Sequence, residues 1–266
     1  MITAVTLDFG NTLVPVPASA LGGVVAQTAR VMSARLGPFD GDEIARIWGE
    51  ERERQFREEV PQFRESDMDI RVVRVLARLR GMAAPPPEMA WDDAAARGRS
   101  DPAEVALVLA TYSDEFVASV RPAPDAAALI ERLAARHAVA ILSNWPLAST
   151  IDRYAEMAGW ASHLSAIVVS QRVGIIKPHP AIFAAARSAL GGPDPGTILH
   201  VGDDWAADVA GATAAGWRAA WLTNRPADSP LPGSARTASV TPDLELASLS
   251  ELEPGIDRLE RLATTG

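Results

Sequence analysis

The stretch ITAVTLDFGNTL, residues 2–13, decides the fold. Ile2–Leu7 is apolar and rich in β-favouring residues, and the run stops at a carboxylate, Asp8. A short apolar run bounded in this way reads as a buried strand. Polar residues at the carboxyl ends of such strands are where parallel sheets hold their ligands. The same pattern recurs along the second half of the chain. Ala138–Leu142 ends at Ser143-Asn144, and Ala166–Val169 ends at Ser170, with Lys177-Pro178 a short loop further on. Thr197–Val201 ends at Gly202-Asp203-Asp204, with Asp208 one helical turn beyond, and Arg218–Leu222 follows.

Helical spacing of apolar residues fills the intervals: Asp125–Arg136, Ile151–Ala158, Ala181–Leu190, Asp208–Ala215 closed by Gly216, and finally Leu249–Leu262. Leu244 falls in a last short strand. Strands alternating with helices imply βαβ units, and so an α/β fold built on a doubly wound parallel sheet.

Residues 15–120 follow a different pattern. Ile44–Phe56, Met68–Leu79 and Val105–Val120 all carry apolar residues at helical spacing, and nothing between Pro15 and Val120 has strand character. Asp40 followed by Glu43 predicts a helix start with a capping box. The charged run Glu50–Glu59 is expected to be the wet face of a helix, paired at helical spacing. The expected organisation is therefore an α/β core from residues 1–14 and 121–266, interrupted by an all-helical insert over 15–120.

Composition narrows the function. The 266 residues are 48% hydrophobic, enough for a sizeable core, and the formal net charge is −9. An acidic chain of this kind argues against a nucleic-acid partner, since phosphate backbones demand basic patches. With no cysteine, disulfides and thiolate chemistry are excluded. Met1 runs directly into Ile2–Leu7 without a basic start or a long apolar stretch, so no signal peptide is expected. No apolar run approaches the length of a membrane span. A cytoplasmic protein acting on a small molecule, without membrane or nucleic acid, is the expectation, and the apolar face of the insert is compatible with a homodimer. Of the 25 basic side chains only Lys177 is a lysine. In a chain that otherwise uses arginine, that marks a place for a compact point charge.

The four polar clusters project into one crevice. A carboxylate such as Asp8 can attack phosphorus and split one hard step into two, provided that negative charge is neutralised. A magnesium ion held by Asp8 and Asp203, together with Lys177, would do this. Ser143 can donate its hydroxyl to a phosphoryl oxygen, and the backbone N–H of Asn144, near a helix start, can add a second contact. Asn11 and Thr12, opening the loop after Asp8, are further candidate phosphate contacts.

These stretches also resemble a known family. LDFGNTL at 7–13, LSN at 142–144, IKPHP at 176–180 and HVGDDWAADVAGA at 200–212 are similar, in order and spacing, to the four motifs of the haloacid dehalogenase superfamily. The helical insert resembles its C1-type cap. The resemblance implies a Rossmann-like core, a hydrolase, Asp8 as nucleophile and metal ligand, the Gly10 carbonyl and Asp203 as metal ligands, and Asp208 as a ligand through water or a support behind the direct ligands.

One position departs from the pattern. Phosphatases of the family carry a second Asp two places after the nucleophile, as general acid and base, and here that place is Gly10. Losing such a group costs about 10²–10⁴-fold. Three readings follow: a phosphohydrolase with a good leaving group or an acid drawn from the cap, a dehalogenase-like enzyme whose halide needs no proton, or a non-catalytic binding protein. The phosphonate-cleaving branch is excluded, because it needs a cap lysine and this insert has none. Asp204 reads as a cap or supporting residue, His179 as a variable position, and Trp145 and Trp205 as packing or crevice walls. Arg172 reads as a solvated loop residue.

Overall fold

The computed structural model describes residues 1–238 and 240–264. Strand β1 (Ala4–Leu7) is fully buried. After it the chain leaves the sheet for helices α1 (Ala18–Arg35), α2 (Gly41–Glu59), α3 (Met68–Leu79), α4 (Asp93–Arg97) and α5 (Pro102–Ser119). It then returns through α6 (Ala126–Ala134), β2 (Ala138–Ser143), α7 (Ala148–Met157), β3 (Ala166–Val169), α8 (Ser170–Val173) and α9 (Pro180–Ala189). Strand β4 (Ile198–Gly202) leads into a π-helical stretch, Trp205–Ala210, and the short α10 (Gly211–Ala214). Strands β5 (Arg218–Leu222) and β6 (Leu244–Leu246) and helix α11 (Leu252–Thr264) complete the described chain.

The sheet is parallel throughout, in the order β3-β2-β1-β4-β5-β6. It is the doubly wound α/β arrangement expected from the alternating pattern. The chain winds outward from β1 in both directions, so the order reverses between β1 and β4, and a crevice opens there at the strand carboxyl ends. Register puts Leu7 level with both Ile141 and Val201, and Asp8 N–H donates to the Val201 carbonyl at 2.8 Å. The residues following β1, β2 and β4 therefore surround one point.

Local signals act largely as expected. The Asp40 carboxylate accepts from the Glu43 N–H at 2.9 Å and starts α2. The reciprocal capping box forms instead at Asp101 and Glu104, which start α5. The region after Gly202 departs from the plain helix expected at Asp208–Ala215. Its first turns are π-helical, a geometry that recurs at functional sites, and Gly216 follows at φ +77°.

The wet face expected over Glu50–Glu59 is corrected by the structure. Glu51, Arg54 and Gln55 are buried. Glu51 accepts from Arg78 at 2.8 Å and from the Trp91 indole at 3.0 Å, and Arg54 pairs with Glu58 at 2.6 Å. Helix α3 and the stretch 85–91 cover this face of α2, and burial is tolerable because each charge finds a partner.

An aromatic cluster joins the insert to the sheet. Phe9, next to Asp8, lies 5.1 Å from Trp145, 5.2 Å from Tyr154 and 6.2 Å from Phe116 of α5, ring centre to ring centre. Phe116 and Trp145 meet edge to face at 5.2 Å, and the Tyr154 hydroxyl donates to the Val120 carbonyl at 2.8 Å. Such contacts add to the burial of large rings. Phe116→Ala is expected to destabilise the protein by about 3–5 kcal/mol, measured as a lower urea midpoint, with Phe116→Leu costing distinctly less.

Candidate active site

Lys177, reached by the loop after α8, is 2% exposed. Its Nζ donates to Asp8 Oδ1 at 2.8 Å, Asp208 Oδ1 at 2.6 Å and the Leu142 carbonyl at 2.9 Å. All three ammonium protons thus have acceptors. Asn144 fixes the lysine from behind: its Oδ1 accepts from Lys177 N–H at 2.7 Å, and its Nδ2 donates to the Lys177 carbonyl at 3.0 Å. Asn144 is therefore held as a clamp on the lysine backbone, a role for its side chain that the sequence did not indicate.

Asp208 is oriented by further contacts. His200, in the buried centre of β4, meets Asp208 Oδ1 through Nε2 at 3.0 Å and Thr6 Oγ1 through Nδ1 at 2.8 Å. The Asp204 N–H donates to Asp208 Oδ2 at 2.9 Å. Gly202 makes this approach feasible, since a Cβ there would overlap the Asp208 carboxyl. Asp204 caps the π-helical stretch, accepting from Ala207 N–H at 2.7 Å, and also accepts from Ser234 N–H at 2.7 Å.

Asp203 completes the set. Its Oδ2 accepts from Arg225 at 3.0 Å, and Thr12 reaches Oδ1 at 3.5 Å. Carboxylate oxygens of Asp8, Asp203 and Asp208 lie within 4.8 Å of one another. Among the described residues the always-cationic partners of these three carboxyls are Lys177 and Arg225, so the fully ionised cluster would carry excess negative charge. Burial raises the Asp8 carboxyl above the usual range, against the pull of Lys177. Burial, reinforced by Asp8 and Asp208, pushes Asp203 up to about 8. Burial also acts on Asp208, but the Lys177 charge and the His200 contact outweigh it and hold that carboxyl well below its ordinary value. Clustered hard oxygen donors with uncompensated charge fit a magnesium-type cation. No protein donor reaches the Gly10 carbonyl among the described residues, which leaves it free to join such a set.

The remaining candidates fall out differently. Asn11, at φ +58°, accepts from Val16 N–H at 3.1 Å and donates to Ser229 Oγ at 2.9 Å, so its side chain shapes the loop. The Ser143 hydroxyl is buried without a partner, and neither Ser143 nor Thr12 lines the cavity. His179 caps α9, its Nδ1 accepting from Ala181 N–H. Trp145 lines the cavity, Trp205 packs against Trp221, and Arg172 pairs with Asp152.

Above the cluster lies a cavity of about 600 Å³, walled by Asp8, Lys177 and Asp203 on one side and by Trp48, Arg52, Glu65, Arg71 and Tyr112 of the insert on the other. Its floor explains Gly10. A Cβ at that position would come 2.6 Å from Leu231 Cδ1 and 3.1 Å from Trp145 Cζ3. The place of a second carboxylate is filled by apolar side chains. Sequence reasoning missed His200, Arg225, Leu231, Glu65, Arg52 and Arg71, none of which stands at a strand end.

The charge balance has a measurable consequence. An unfolded Asp titrates near about 4, so between about pH 4 and pH 8 folded Asp203 holds a proton that the unfolded chain has lost, and stability falls as pH rises. In chelator, Asp203→Asn is expected to melt at a higher temperature than wild type near about pH 8 and to differ little near about pH 4. Magnesium is expected to raise the wild-type melting temperature and leave the variant unmoved.

Comparison with known proteins shows the family and the fold. A model of the haloacid dehalogenase-like hydrolases matches residues 2–216. The chain is 30% identical over 132 residues to pyrimidine 5'-nucleotidase YjjG of Escherichia coli, covering 50% of this chain and 55% of that protein. It is 38% identical over 97 residues to a phosphoserine phosphatase of Thermus thermophilus, covering 36% and 35%. The chain thus spans about half the length, or less, of these curated relatives. Among solved structures, a 2-haloacid dehalogenase from Pseudomonas syringae is 26% identical, with a TM-score of 0.66 over 97% of this chain and 100% of that one. The magnesium-bound HAD-hydrolase YfnB of Bacillus subtilis shares the fold at 18% identity, with a TM-score of 0.61 over 95% and 97%. The chain belongs to the haloacid dehalogenase-like hydrolase family.

Proposed function

We propose that the protein is a magnesium-dependent phosphohydrolase of small phosphorylated molecules, working through an aspartyl-phosphate on Asp8. The observation that carries this reading is the convergence of Asp8, Asp203 and Asp208 within 4.8 Å, beside a single buried lysine. The cation would sit among these carboxylates and the Gly10 carbonyl, supplying charge neutralisation and Lewis acidity to the phosphoryl group. Lys177 holds Asp8 Oδ1, while among the described residues Oδ2 takes no protein hydrogen bond and is the oxygen for attack. The Oδ2–phosphorus bond forms as the bond to the leaving oxygen breaks, and water then attacks phosphorus and releases phosphate. Residues 15–120 act as a cap that keeps bulk water from the crevice.

Gly10 cannot protonate the leaving oxygen. Acyl and aryl phosphates leave without help. For poorer leaving groups, Glu65 is the candidate donor. It comes from the insert and lines the cavity, it is hydrogen-bonded to Ser170 and Ser66, and burial raises its carboxyl above the usual range.

A second reading, hydrolysis of a carbon–halogen bond, is favoured by Leu231 and Trp145 filling the space beside Gly10. Halide leaves with its electron pair and needs no acid.

Phosphate release from acetyl phosphate and an aryl phosphate is the test. Turnover is expected to require magnesium, to stop with chelator, and to fall at least about 10³-fold in Asp8→Asn. Turnover of haloacids that ignores chelator would move the assignment to the second reading. Glu65→Gln is expected to slow alkyl phosphates by about 10²–10⁴-fold while leaving acetyl phosphate nearly unchanged. Equal losses on both substrates would remove Glu65 from the proton path.

A further inference from the structure

The cap wall of the same cavity holds a charge of the opposite sign. Arg71, on α3, is 3% exposed and has no carboxylate at ion-pair distance among the described residues. Its Nε donates to Gln55 Oε1 at 2.8 Å, and its Nη2 reaches the Ser66 carbonyl at 3.4 Å and the Ser66 hydroxyl at 3.3 Å. Nη1 meets only the Met68 sulfur, at 3.7 Å. Two other buried arginines of the insert differ. Arg54 pairs with Glu58 at 2.6 Å and Arg74 with Asp93 at 2.8 Å. The nearby carboxyls are engaged elsewhere, Glu65 with Ser66 and Ser170, and Asp67 with the Asp69 N–H and Gln171.

A buried guanidinium without a counter-charge is costly. Burial brings Arg71 down to about 10, so it stays cationic at neutral pH. A second guanidinium adds to the cost. Arg52, on α2, is close enough to oppose the Arg71 charge. It donates to the Pro230 carbonyl, lies 4.9 Å from the Phe56 ring centre, and meets only the exposed Glu53, at 3.9 Å. Both arginines line the cavity, together with Val25, Trp48 and Tyr112, whose phenol is close enough to act on the Arg71 charge.

We propose that Arg71, with Arg52, forms an anion subsite in the cap, so that the cavity takes a small molecule bearing a second anionic group, carboxylate or phosphoryl, remote from the group that reacts at Asp8. A guanidinium fork matches either oxyanion through paired hydrogen bonds. Only the reacting end of the ligand rests on the phosphohydrolase reading. The subsite itself rests on the two arginines.

The test is titration calorimetry with magnesium and non-hydrolysable probes: ω-phosphonocarboxylates of increasing chain length, the matching alkylphosphonates, α,ω-bisphosphonates and plain alkylcarboxylates. At its best length the wild type is expected to bind the phosphonocarboxylate or the bisphosphonate at least about tenfold more tightly than the alkylphosphonate, and the better of the two identifies the anion. Arg71→Gln is expected to abolish that preference while holding alkylphosphonate affinity within about twofold, with Arg71→Lys retaining part of it. Arg52→Gln, which gives up a carbonyl contact, a ring contact with Phe56 and an exposed partner but no buried ion pair, is expected to weaken the preference in a fold left intact. If no phosphonate binds but alkylcarboxylates bind in an Arg71-dependent way, the subsite stands and the phosphohydrolase reading fails. If neither Arg71→Gln nor Arg52→Gln changes the affinity of any anionic probe relative to its partner lacking the second anion, the subsite is overturned.

Discussion

One buried ammonium organises this protein. Lys177 Nζ is shared between Asp8, just past the end of β1, Asp208, in the π-helical stretch after β4, and the carbonyl of Leu142 in β2. Losing any one partner would leave a charge stranded in a dry site, a cost far larger than the net worth of the pair. The geometry therefore exists only when the three strands lie side by side with their carboxyl ends level, as the order β2-β1-β4 provides. Asn144, gripping the lysine backbone on both sides, turns this electrostatic requirement into a fixed loop.

The segment after β5 extends the same logic to the insert. Arg225 holds Asp203, Ser229 meets Asn11, Asp228 accepts from the Ala18 N–H at the start of α1, and the Pro230 carbonyl accepts from Arg52. One loop thus touches the acidic cluster, the turn after the nucleophile and two insert helices. Leu231, carried by that loop, closes the space beside Gly10. The place beside Gly10 is occupied by a side chain that would have to shift to admit a second carboxylate. The cavity brings the acidic cluster, held by Lys177 and Arg225, to face Arg52, Arg71 and Glu65 of the insert.

Where the sequence could be read, one local rule sufficed. Apolar runs stopping at Asp8, Ser143 and Gly202-Asp203 mark strand ends, and a parallel sheet gathers strand ends into one crevice. Misreadings arose where a side chain's partner is distant in sequence. Glu51 and Arg54 read as solvated because charges usually are, yet Trp91 and Pro85 lie across from them. His200 sits inside a strand and carries no periodic signal, and its position against Asp208 depends on the π-helical turn. The Asn11 amide meets Ser229, more than two hundred residues away, a contact with no local signal.

The sequence by itself determined the alternation of strands and helices, the helical insert, and the carboxylates and lone lysine at strand ends, because hydrophobic periodicity and chain-local spacing carry that information. Only the tertiary structure decided which charges are paired and which are left over. Arg54, Arg71 and Arg74 lie on neighbouring helical stretches and look alike in sequence. Two are neutralised by carboxylates and one faces a cavity, a distinction set by which side chains arrive from elsewhere in the chain.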